Sequence, residues 1–163
     1  MLAINGKWFC CFAFVICCAG FIALGAGCQS SGRADSKAFH AGPFTMVMPK
    51  DLKPVPTAAT DSYTGAFEGS GIYLKFDYGS AANNFEDWPP STEYELVKIE
   101  DKAARIGTVS RGFEPGYNFS TQISFRDTGG KPLTITAACR TLKDCQRAKQ
   151  IFHTVKFKPT TLE

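Results

Sequence analysis

The chain has 163 residues, 44% of them hydrophobic and 20% charged, with a net charge of +3. That is room for one ordinary domain with a short appendage, and enough apolar mass for a core that needs no metal to hold it. Lys and Arg are interleaved with acids from Lys50 to Lys158, which leaves no clustered basic face to capture nucleic acid and argues against it as a partner.

Residues 1–7 carry one positive charge, Lys7, and residues 8–24 form an uncharged apolar stretch that includes Phe9, Phe12, Phe14, Val15, Ile16, Phe21 and Ile22. This is the layout of a secretory signal. Its end, Leu24-Gly25-Ala26-Gly27-Cys28, places three small residues directly before a cysteine and resembles a bacterial lipobox. The resemblance implies cleavage before Cys28, diacylglycerol on its thiol, and an exported protein held on a membrane facing the periplasm or the cell exterior. Leu24 stands four residues before the cysteine, where the family places its aliphatic residue three before; Gly25 occupies that site. Gln29 rather than Asp after the cysteine implies, in a Gram-negative envelope, passage to the outer membrane.

Ordinary signal cleavage and an uncleaved anchor are the other two readings. Residues 8–27 number 20, long enough to span a bilayer, but neither flank carries the positive cluster that orients such a helix. Two acyl chains on one residue hold a protein stably, at about 0.8 kcal/mol per buried methylene. The partner implied is therefore the lipid bilayer itself, through Cys28.

Residues 28–43 read as the lipidated cysteine and a flexible tether, since residues 29–43 are small, polar and without period and reach about 20 Å. Residues 44–158 read as one α+β domain. Residues 44–48, closed by Pro49, form a first strand, and residues 50–61 with Pro54 and Pro56 a loop. Residues 62–67 and 72–78 flank Gly69-Ser70-Gly71 as a hairpin, with Ile72, Leu74, Phe76 and Tyr78 on a core face and Lys75 and Asp77 on a wet one. A second hairpin joins residues 94–99 to 103–109. In a third, Tyr117, Phe119, Thr121, Ile123 and Phe125 share one face before a turn and the strand 133–139.

Thr141 and Asp144 have the spacing of a capping box, and Leu142, Cys145, Ala148, Lys149 and Phe152 recur at helical period. Residues 142–153 are expected to form an amphipathic helix, with Val155 and Phe157 in a last short strand. The sum is an antiparallel sheet of about six strands with a C-terminal helix packed on one face. The opening Phe44-Thr-Met-Val-Met-Pro49, the stretch Asp61-Ser62-Tyr63-Thr64-Gly65, the strand end Phe76-Asp77-Tyr78-Gly79 and residues 148–157 resemble small exported proteins of the PsbP-like fold class. That resemblance implies an assembly or binding factor more than an enzyme.

Chemistry is sparse. There is no Gly-x-Ser-x-Gly or Ser-x-x-Lys, and the two histidines are His40, in the tether, and His153, at the helix end where an imidazole caps the last carbonyls. No metal-ligand spacing occurs; Asp61, Asp77, Glu86, Asp87 and Glu93 are scattered loop and strand acids. No cofactor is implied. Cys10, Cys11, Cys17 and Cys18 belong to the leader, so Cys139 and Cys145 are the domain's pair. An oxidising compartment and a shared core-facing orientation predict a disulfide between them; two buried thiols are the alternative.

The long connection 79–92 holds Phe85 and Trp88 among polar residues. Either Trp88, stiffened by Pro89-Pro90, is an aromatic anchor for an envelope protein partner, or both rings fold back onto the sheet. Two function classes remain open: a non-catalytic accessory or binding module displayed at the membrane, and a small envelope enzyme with a site built from scattered polar residues. A deep cleft around Asp77, Arg105 or Arg111 would speak for the enzyme.

Overall fold

The computed structural model describes residues 35–57, 62–80, 82 and 85–158. Cys28, the apolar leader, Asp61 and most of the tether lie outside the described residues. Among those described, no helix is long and apolar enough to cross a membrane.

The elements in chain order are β1 (Ser36–His40), β2 (Phe44–Pro49), β3 (Lys53–Val55), β4 (Tyr63–Gly69), β5 (Ile72–Tyr78), β6 (Tyr94–Ile99), β7 (Lys102–Val109), β8 (Phe119–Phe125), β9 (Leu133–Cys139), α1 (Leu142–Phe152) and β10 (Lys156–Phe157). The described residues are mostly sheet with one helix, α+β in outline. Seven strands form one sheet in the order β3-β4-β5-β9-β8-β7-β6, and β1-β2-β10 form a second. Every pairing is antiparallel.

Three features differ from the expectation of a single sheet of about six strands with a free tether and a loop at residues 50–61. Ser36–His40, inside the segment read as tether, pairs along β2 from Ser36↔Pro49 to His40↔Thr45. A polar segment without period becomes a strand here because the edge of β2 supplies its hydrogen bonds, and Phe39 packs its ring 4.8 Å from that of Phe67. The opening strand β2 also leaves the main sheet: its alternate residues Phe44, Met46 and Met48 are buried, and they close the core from outside the seven strands. Lys53–Val55, read as loop, is a three-residue edge strand, the position in a sheet that tolerates Pro54.

The core lies on one face of the large sheet. Ile72, Leu74 and Phe76 of β5, Leu133, Ile135 and Ala137 of β9, and Ile123 and Phe125 of β8 meet Cys145, Ala148, Ile151 and Phe152 of α1. The helix starts where the capping box places it: the Thr141 hydroxyl accepts from the Asp144 amide, the Asp144 carboxylate accepts from the Thr141 amide, and His153 is the C-cap. The β4–β5 turn is Ser70-Gly71, both at positive φ (46° and 79°), the twist that two-residue hairpins require.

Candidate functional site

The opposite face of the seven-stranded sheet is polar. Register places Tyr73 beside Ala138, Lys75 beside Thr136 and Asp77 beside Thr134 across β5 and β9, with Gln122 beside Thr136 on β8 and Gly107 beside Gln122 on β7. An antiparallel sheet can leave such a face in water. Here Ser120, Gln122, Ser124 and Thr134 are buried instead, so something covers them.

Residues 85–88 are one cover. Phe85 and Trp88 are only 6% and 7% exposed, their rings meeting edge to face at 5.0 Å, and Tyr94 lies 4.8 Å from Phe85. The seat for these rings is Gly107. A Cβ there would stand 3.0 Å from the Phe85 ring, 3.1 Å from Trp88 and 3.2 Å from Tyr94, so the absence of a side chain lets three aromatics lie on the strand. The Arg105 guanidinium sits 5.3 Å from the Phe85 centroid and 5.1 Å from that of Tyr94. Phe85 holds φ at +68°, a backbone region that bulky side chains rarely adopt and that this packing sustains.

The second cover is the segment before β8. Its Phe113 ring lies 5.5 Å from Trp88, its Phe113 amide donates to the Ser120 hydroxyl at 3.2 Å, and the Tyr117 hydroxyl donates to Glu68 at 3.0 Å. Arg111 lies 5.6 Å from the Phe113 centroid.

Between the two covers the sheet stays open as a cleft of about 280 Å³. Tyr73, Lys75, Asp77, Thr134, Thr136 and Gln122 come from the strands, Asp87 and Trp88 from one cover, and Phe113 and Glu114 from the other. Thr136 donates to the Gln122 amide oxygen at 2.9 Å, which fixes the floor. Oδ1 of Asp77 is buried without a hydrogen-bond partner among the described residues. Burial raises the Tyr73 phenol above its ordinary value, and the charges of Glu114 and Glu68 push it further in the same direction. Tyr117 is raised by burial first and then by its bond to Glu68.

The sequence-derived candidates thus separate. Phe85 and Trp88 are buried rather than displayed, so neither is an exposed anchor; their apolar surface is worth more against Gly107 than in water. Trp88 still gives part of its surface to the cleft wall. Cys139 and Cys145 lie with Cα atoms 5.5 Å apart and sulfurs at bonding distance, tying the end of β9 to the first turns of α1. Asp77 and Asp87 share the cleft, whereas Arg105 is stacked on the Phe85 and Tyr94 rings and Arg111 over that of Phe113. His153 caps the helix and His40 ends β1, so neither joins the site. Among the described residues no three His, Cys, Asp or Glu are grouped to hold a metal ion. The sequence reading missed Glu114, Gln122 and Thr136; alternation on β8 and β9 marked Gln122 and Thr136 as one face, but nothing local marked that face as covered.

The lining mixes aromatic walls with charged and amide groups, a composition suited to holding a small ligand. No family model and no curated protein matches the chain.

Proposed function

We propose that the protein is an exported binding module, tethered to a membrane through acylated Cys28, whose ligand occupies the cleft over β5, β9 and β8. The observation that carries the binding reading is the cleft itself: two separate chain segments fold over a polar sheet face yet leave a walled opening of about 280 Å³ at Asp77. The tether reading is supported by the three small residues before Cys28 and the uncharged run ahead of them. The cleft at Asp77 meets one condition set for the enzyme, but Arg105 and Arg111 lie on aromatic rings outside its lining; non-catalytic action is favoured because, among the described residues, the lining offers no nucleophile paired with an imidazole base.

The test uses the full chain expressed in its own membrane and extracted in mild nonionic detergent. Intact-mass analysis is expected to show the first 27 residues removed and diacylglycerol on Cys28, and native mass spectrometry to show a small molecule retained by the wild type and lost from Lys75→Trp, which fills the cleft from an exposed strand position. Equal membrane attachment of Cys28→Ser refutes the tether. A small molecule held equally by Lys75→Trp, or none held by the wild type, refutes the cleft as the binding site.

A further inference from the structure

The cleft has a sign of charge and a kind of wall, and together they name a ligand chemistry; this inference rests on the binding reading above. Three carboxylates, Asp77, Asp87 and Glu114, face one ammonium, Lys75, around its lining. The neutral polar groups of the floor are partly engaged with each other, through the Thr136 to Gln122 bond. Asp77 is different: its Oδ1 is buried and, among the described residues, receives no donor. Buried acceptors are nearly always satisfied, and a native exception calls for a functional account.

The walls are aromatic. Trp88 and Phe113 stand 5.5 Å apart with their planes inclined at 50°, and Tyr73 lines the strand side. A cation within about 6 Å of such a ring face is attracted by its quadrupole, and the more so when desolvated. An opening of about 280 Å³ falls just under the roughly 300 to 1,000 Å³ of sites for drug-sized ligands, so a nucleotide or an oligosaccharide is too large to be enclosed. We propose that the cleft binds a small organic cation, an ammonium group on an apolar body, with Asp77 and Glu114 as its counter-charges and Trp88 as the wall against which the body lies.

The chain holds two tryptophans, Trp8 and Trp88, so in Trp8→Phe extracted in nonionic detergent the indole emission reports Trp88 alone whether or not the first 27 residues have been removed. Three probes share one ring and differ in charge: benzylamine, benzyl alcohol and benzoate. Benzylamine is expected to give a saturable change in emission, with the other two at least about tenfold weaker, the loss of one charge-assisted hydrogen bond. Asp77→Asn is expected to weaken benzylamine by about tenfold; Glu114→Gln, on the covering segment, gives the same direction should the strand variant fold poorly. Benzyl alcohol or benzoate binding as tightly as benzylamine overturns the cation while leaving the cleft a binding site. So does a benzylamine affinity unchanged in both carboxylate variants. No saturable response to benzylamine overturns the proposal; the molecule retained by wild type and lost from Lys75→Trp then still separates this failure from failure of the cleft as a site.

Discussion

Truncating Trp88 to alanine tests whether residues 85–88 are a packed part of the fold or a displayed loop. The indole is 93% buried, the complement of its 7% exposure. A tryptophan side chain carries about 200 Å², and at about 25 cal/mol per Å² its burial is worth at most about 5 kcal/mol, an upper bound because the unfolded chain already shields some of that area. Buried Trp to Ala changes cost about 3 to 5 kcal/mol. Trp88 borders an open cleft, so water can enter the vacated space and the remaining rings, Phe85 at 5.0 Å and Phe113 at 5.5 Å, can settle into it. The expected loss is therefore near the bottom of that range, about 3 kcal/mol. Urea unfolding of the full chain followed by far-ultraviolet circular dichroism measures it, since the variant removes the fluorophore. A loss below about 1 kcal/mol, the level of ordinary surface substitutions, would mean that the indole is not seated on Gly107 and would refute this account of how the polar sheet face is covered.

Two further predictions concern the opposite side of the sheet and the alkaline limit. Thiol counting on the denatured, unreduced protein is expected to find Cys139 and Cys145 blocked, and Cys139→Ala with Cys145→Ala to cost about 2 kcal/mol for a loop this short; free thiols at both positions in freshly exported material would reject the bond. Tyr73 and Tyr117 both have raised values in the folded state, so their contribution is complete below the unfolded tyrosine value of about 10 and declines as pH rises past it, where the unfolded chain ionises first. The thermal midpoint is expected to fall more steeply between about pH 9 and pH 11 in the wild type than in Tyr73→Phe/Tyr117→Phe, and equal slopes would contradict that origin.

The elements that were legible in the sequence are those whose signal is local. Thr141 and Asp144 announce the helix start because both capping partners lie within one turn, and Ile72, Leu74 and Phe76 announce a strand because alternation needs no partner to be visible. The hairpin turns were legible for the same reason, Ser70-Gly71 supplying the positive φ that the turn requires. What was not legible depends on pairing at a distance. Residues 36–40 carry no strand pattern, and their conformation comes from the unpaired edge of β2. Phe44, Met46 and Met48 read correctly as a strand, but alternation says only that one face is buried, not which sheet the strand joins; that was decided by β1 and by Lys156–Phe157, which pair with it from either side.

The cleft was hidden for a related reason, and one residue shows how. Asp77 reads as the wet side of an amphipathic strand, since its neighbours Phe76 and Tyr78 point to the core. Its surroundings change because residues 85–88 and the segment carrying Phe113 and Glu114 return over the sheet, and residues 85–88 return because Gly107, about twenty residues on, offers bare backbone where every other residue type would place a Cβ against three rings. In sequence Gly107 is a weak position in a strand, an entropic cost with no visible gain. In three dimensions it lets the covering loop settle against the strand, so that Gln122 and Thr134 lose their water and Asp77 sits at the margin between covered and open sheet. Replacing Gly107 with a β-branched residue would favour the strand locally and push the aromatic cover away from it. The polar sheet face would then open to solvent. Strand propensity and the cleft therefore make opposite demands on the same position, and the glycine resolves them in favour of the cleft.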